Sequence, residues 1–176
     1  YALPSDVDME NNALLVIYRP DSKWASEEIE SPSFYIDDER EFGIKNNAHY
    51  WFEVEPGKRH LVIRRPLLGL EGVTFFSLRI ISDFTVDLKA GQTYFLRYSE
   101  LTAPPMDKAI SEEEPMGDGA LFLIPEALAK RDLLTTMFDD QSGRFLTYKM
   151  EYHEPEQYAA LEEQKSQGEG KWWWPF

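Results

Sequence analysis

Site chemistry usually begins with histidine, cysteine or converging carboxylates, and this chain is sparing with the first two. It has three histidines, His49, His60 and His153, and no cysteine. Without cysteine there are no disulfides, no thiolate metal site and no thiol nucleophile. The histidines follow neither the His-x-x-x-His nor the His-Glu-x-x-His spacing that sets two ligands on one helical turn. No serine sits in a Gly-x-Ser-x-Gly elbow, and neither common glycine-rich phosphate loop is present. Any two of the 32 acids could converge as a glycosidase pair, and that abundance robs the signal of weight. The run Asp37 to Glu41 and the run Asp139 to Gly143 offer oxygen ligands for a cation. A calcium loop sets glycine among its ligands, however, whereas Gly43 follows the charges of the first run and the ligand spacing of the second is also wrong, so both read as solvated turns. No catalytic residue, metal or cofactor is expected.

The remaining candidates for contact are aromatic. The chain ends Gly168-Glu-Gly-Lys-Trp-Trp-Trp-Pro-Phe176, and Trp172, Trp173, Trp174 and Phe176 each carry on the order of 150–250 Å² that water would leave as an apolar patch. The simplest expectation is that they fold back onto a sheet face or groove of the same chain. Their functional alternative is an anchor for a partner or a membrane interface, where indole rings concentrate. A stacking platform for sugar rings is a third option that no accompanying polar set specifies.

The elements that would position these groups are legible from period-two patterning. Ala13 to Tyr18 is apolar on both faces, which suits a strand covered on both sides, and Arg19-Pro20 closes it. Asp21 to Pro32 lacks a period and reads as a loop with Trp24 folded back. Ser33 to Asp37 alternates again. Tyr50 to Val54 and Lys58 to Ile63 flank Pro56-Gly57, and a two-residue turn there predicts a hairpin in which Tyr50 faces Ile63, Phe52 faces Leu61, Glu53 meets His60 and Glu55 meets Lys58. In that register Glu53 would favour the protonated form of His60. Val73 to Ile81, then Phe84 to Leu88 after a bend at Ser82-Asp83, and Gln92 to Tyr98 after the Lys89-Ala90-Gly91 turn, continue the alternation.

Leu101 to Gly119 carries prolines, glycines and the Glu112–Glu114 run, and reads as a long loop. Pro125 lacks only an amide hydrogen that a first helical turn leaves unpaired, and with Leu128, Arg131, Leu134 and Met137 it predicts a helix over 125–138. A further strand is expected in Arg144 to Tyr152, and a short acidic helix in Pro155 to Gln164. The fold class expected is therefore mainly all-β: an antiparallel β-sandwich of about 7–9 strands with one or two short C-terminal helices. Its parts would be a flexible segment over 1–12, the sandwich over 13–153, and an acidic helical segment with the tryptophan-rich tail over 154–176.

Acids outnumber bases 32 to 18, a formal charge of −14, which repels phosphate backbones and anionic headgroups and argues against nucleic acid as a partner. No apolar run reaches the ~20 residues of a membrane-spanning helix. The chain opens on Tyr1 instead of methionine, so an upstream segment, with any export signal, is expected to have been removed.

Five segments in order, Ala13-Leu-Leu-Val-Ile-Tyr-Arg-Pro20, Gly43 to Tyr50, Val54-Glu-Pro-Gly-Lys-Arg-His60, Ala90-Gly-Gln-Thr-Tyr-Phe-Leu-Arg97 and Leu121-Phe-Leu-Ile-Pro-Glu126, resemble the bacterial envelope family called domain of unknown function 2846, over residues 13 to about 135. The resemblance implies a small β-rich domain, often secreted or lipid-anchored through an N-terminal cysteine that this chain lacks. It transfers no catalytic residue. The resulting expectation is a non-enzymatic interaction or structural protein, periplasmic or associated with the outer membrane, with an unknown protein partner or a second copy of itself. Membrane attachment would come only through a missing N-terminal lipid anchor. The alternative is a carbohydrate- or lipid-binding module using exposed aromatics, and a hydrolase assembled from distant acids is least favoured.

Overall fold

The computed structural model describes residues 7–65, 79–109, 111 and 114–139, and the backbone of 147–148. It is a mainly β-structure of two facing sheets. Strands β1 (Ala13–Arg19), β4 (Ala48–Val54), β7 (Thr93–Tyr98), β8 (Met116–Asp118), β9 (Leu121–Ile124), β10 (Met137–Phe138) and β11 (Thr147–Tyr148) make a seven-stranded sheet, in the order β10-β4-β1-β7-β9-β8 with β11 also on β4. Strands β2 (Ser33–Ile36), β3 (Glu39–Gly43), β5 (Gly57–Arg65) and β6 (Arg79–Leu88) make a four-stranded sheet in the order β3-β2-β5-β6. The pairing is antiparallel in the main. At the centre of the larger sheet, however, β1 and β7 run parallel, and the short β10 and β11 lie parallel to β4.

The unbroken apolar run of β1 fits its position. Ala13, Leu15 and Ile17 face the core between the sheets, and Leu14, Val16 and Tyr18 face a second cluster on the outer side. That outer cluster is closed by helix α2 (Glu126–Leu133) through Leu128, Ala129 and Leu133. Between the sheets, Phe42 stacks on Phe52 with centroids 5.2 Å apart and lies 4.1 Å from the Tyr50 ring.

The predicted hairpin at Pro56-Gly57 is corrected. β4 pairs with β1, whereas β5 pairs with β2 and β6, so the chain crosses from one sheet to the other at Glu55–Gly57. Gly57 takes φ +118°, which only glycine adopts readily. The alternation holds as to face, because Tyr50, Phe52, Val54, Leu61 and Ile63 all point into the same core. They do so from opposite layers. Arg59 fills the arch from inside: its Nε and Nη2 donate to the Glu55 carbonyl at 3.2 and 3.0 Å, and its Nη1 lies 3.4 Å from Asp37 Oδ2. A second crossing, Lys89 to Gln92, carries β6 into β7.

Other expectations shift locally. The loop after Pro20 contains a short helix, α1 (Lys23–Glu27), capped by Ser22, whose Oγ accepts from Ala25 N at 3.2 Å; Trp24 lies half exposed on it instead of folding back. The helix expected over 125–138 ends at Leu133. There Thr135 Oγ1 donates to the Asp132 carbonyl at 2.8 Å and Thr136 Oγ1 to the Leu133 carbonyl at 3.2 Å, which ends the helical ladder and releases Met137-Phe138 to pair with β4. The bend expected at Ser82-Asp83 does not interrupt the strand: β6 runs through it, with a register shift at Ile81 opposite Ile63/Arg64.

The sheets are joined at one edge by a specific joint. Ser82 of β6, fully buried, accepts from Ala120 N and Leu121 N through Oγ at 3.0 and 3.1 Å. Gly119 (φ +57°) precedes them, and a Cβ there would stand 1.9 Å from the Ile81 carbonyl oxygen.

Candidate functional site

Buried ionisable side chains gather in three places. At one end of the sandwich, Arg19, the last residue of β1, forms a bidentate pair with Glu28, Nη2 to Oε2 at 3.0 Å, while Nη1 also donates to the Ile44 carbonyl at 3.0 Å. Arg65, from the other sheet, lies 3.8 Å from Glu28 and pairs with Glu100, which also accepts from Tyr98 OH at 2.6 Å. The Arg19 guanidinium sits over the Tyr98 ring at 5.2 Å. Two cations and two anions thus close a neutral ring that spans both sheets. Burial pushes the Tyr98 phenol far above its ordinary range, and its hydrogen bond to Glu100 acts in the same direction. For Arg65, burial works against the charge, but the Glu100 hydrogen bond and charge prevail and raise its pKa.

On the outer face of the larger sheet, Asp132 of α2 accepts from Tyr18 OH and Arg97 Nε, each at 3.1 Å. Arg97 also donates to Thr102 O and Oγ1 at 3.0 and 2.7 Å. Burial first, and then the Asp132 charge, hold the Tyr18 phenol protonated well above its usual value. On the outer face of the smaller sheet, His60 Nε2 meets Asp83 Oδ1 at 2.6 Å, and its backbone N–H donates to Asp37 Oδ1 at 2.8 Å. The expected Glu53–His60 contact is corrected by the same crossing that removes the hairpin. Glu53 lies on the other sheet and accepts from Asn12 Nδ2 at 2.6 Å and Asp8 N at 3.1 Å.

Of the acidic runs, Asp37 and Asp38 make the β2–β3 turn with positive φ, Asp37 against Arg59 and Asp38 4.0 Å from Arg64. Among the described residues no group of three or more potential metal ligands converges. His49 is buried, its Nδ1 3.0 Å from Thr136 Oγ1 and its ring 5.5 Å from Phe138, and burial lowers its pKa. His153 and the predicted contact residues Trp172, Trp173, Trp174 and Phe176 lie outside the described residues, as does the acidic segment 155–164.

A half-open groove of about 280 Å³ lies at the step between β7 and β9. Tyr94, Phe95, Met116, Leu123 and Ile124 supply its apolar wall, and Glu114 and Glu126 stand among its lining with no cationic residue. The step exists because Pro125, which has no N–H to give a ladder, turns the chain from β9 into α2 where β7 continues. No sequence signal short of the topology marks it, since β7 and β9 are brought side by side across the long Leu101–Gly119 connection.

Fold and site together define a small β-sandwich whose interior charges bind its layers to one another. The chain belongs to the family described as Protein of unknown function (DUF2846), whose model matches residues 9–112, more than half of its length. The Leu121–Glu126 segment that contributes to the resemblance lies beyond that span. No curated protein matches the chain.

Proposed function

We propose that this protein is a non-enzymatic interaction or structural module of the bacterial envelope, periplasmic or associated with the outer membrane. The observation supporting the non-enzymatic part is where its buried ionisable groups sit. Arg19 with Glu28, Arg59 with Asp37, and Arg97 with Asp132 each join packed elements instead of facing a cleft. A side chain held in that way is not presented to a substrate. The envelope part is supported by the resemblance to secreted and lipid-anchored relatives, and in this reading the partner is a protein or a second copy, with Trp172–Phe176 as a further contact.

The test is capture from a bacterial envelope extract with the full chain and with the chain lacking 172–176, alongside fractionation of cells producing the protein. A discrete partner retained by the full chain and recovery in the envelope fraction are the expected results. Recovery in the cytosol without a partner overturns the proposal.

A second reading, binding of carbohydrate or lipid, is favoured by one feature. Trp51 stacks on Phe138 at 5.5 Å with planes 11° apart, and Phe138, Met137 and Leu134 are exposed beside it. Co-sedimentation with lipid vesicles or retention on a glycan array, lost in Phe138→Ala, would support it over the first.

A further inference from the structure

We infer that the β7/β9 groove receives an extended protein segment that alternates basic and aliphatic residues, added at the step in the larger sheet. This rests on the interaction-module reading and names its contact surface. Three observations converge on it.

The first is the backbone. Leu14 N–H donates to the Gln92 carbonyl on the β1 side at 3.0 Å. Backbone polar groups alternate in direction along a strand, so Thr93 aims both its N–H and its C=O to the opposite side. The β7–β9 ladder on that side stops at Phe95↔Ile124, and no ladder partner for Thr93 occurs there among the described residues. One donor and one acceptor therefore face the groove at the spacing a further strand would use. Next comes shape: about 280 Å³ between Tyr94, Phe95, Leu123 and Ile124 is at the small end for a binding pocket and suits one aliphatic side chain with its neighbours.

The third is charge. Glu114 and Glu126 line the groove, and the whole chain carries −14, so a basic segment is drawn in at long range and an acidic one repelled. Glu126 also holds Lys130 at 2.7 Å, but that pair is exposed and exchanges readily with a competing cation.

The experiment uses the full chain, 15N-labelled, titrated with Ac-Thr-Lys-Val-Lys-Val-Thr-NH2 and with its acidic counterpart, in which both lysines are glutamate. The expected result is saturable amide shifts at Thr93, Phe95, Met116 and Ile124 with the basic peptide alone. The double variant Glu114→Gln/Glu126→Gln should retain its other resonances and bind roughly three- to tenfold more weakly. Equal shifts from both peptides, shifts centred elsewhere, or no saturation up to about 1 mM overturn the inference. The envelope capture separates the two failures. A partner held equally by wild type and the double variant sinks the groove and leaves the module, whereas no partner for either sinks both.

Discussion

Ser82 and Gly119 fasten one sheet to the other at single-atom resolution. Ser82→Ala removes the acceptor of two buried N–H groups, each of which costs about 1–3 kcal/mol when orphaned, and urea unfolding should show a loss in that range or above. Gly119→Ala should destabilise further, because the new methyl meets the Ile81 carbonyl at 1.9 Å in a left-handed backbone. The Arg19–Glu28 pair tests the ion ring. Both side chains are nearly inaccessible, at 3% and 6% exposure, so Glu28→Gln leaves a buried guanidinium short of its counter-charge at about 3–5 kcal/mol. Replacing both residues by apolar ones, Arg19→Met with Glu28→Leu, is expected to harm stability less than Glu28→Gln alone. A lower melting temperature for the double than for the single variant would contradict that account. Arg59 carries the sequence signal of the crossing: a cation on the apolar face two residues after Gly57 has no place in a flat hairpin. It is explained by an arch whose carbonyl it holds.

At the level of elements, β10 rests on His49. Burial holds the His49 pKa below its ordinary value, so the uncharged ring belongs to the folded state and the unfolded chain takes up the proton first. Stability from this group is therefore level above about pH 7 and falls as the pH drops through the unfolded value near 6.5. Asp139, whose backbone N–H donates to the His49 carbonyl at 3.2 Å, is itself paired with Lys45 at 2.7 Å. His49→Gln, which keeps a partner for Thr136 but cannot titrate, should flatten the difference in melting temperature between about pH 7.5 and pH 5.5 relative to wild type. The elements themselves were largely legible. β1, β2 and β7 stand where alternating or unbroken apolar runs put them, because burial on one face or two imposes those patterns directly. Which sheet each strand joins was not legible, since alternation reports the face a residue takes and is silent about its layer. The groove was hidden for the same reason, and the early end of α2 depended on two threonine hydroxyls whose bonds compete with the helix.

For the whole molecule, an excess of fourteen negative charges on 176 residues means that the compact state repels itself. Screening shortens the reach of that repulsion from about 30 Å at 0.01 M salt to about 10 Å at 0.1 M. The melting temperature should rise over that interval, and a fall would show that favourable ion pairs such as the Arg19–Glu28 ring dominate. Topology has a further effect, on time. Successive strands leave for opposite layers after Val54 and after Leu88, and the centre of the larger sheet is the parallel union of Leu14 with Thr93, distant along the chain. Neither layer can be finished while the other is unmade, and loop closure must precede the reward of pairing. Refolding should therefore take on the order of milliseconds to seconds, paced by the meeting of β1 with β7. A nascent chain could give β1 its β4 neighbour early, but would leave the outer face of β1, Leu14, Val16 and Tyr18, unsheltered until residue 133 had emerged.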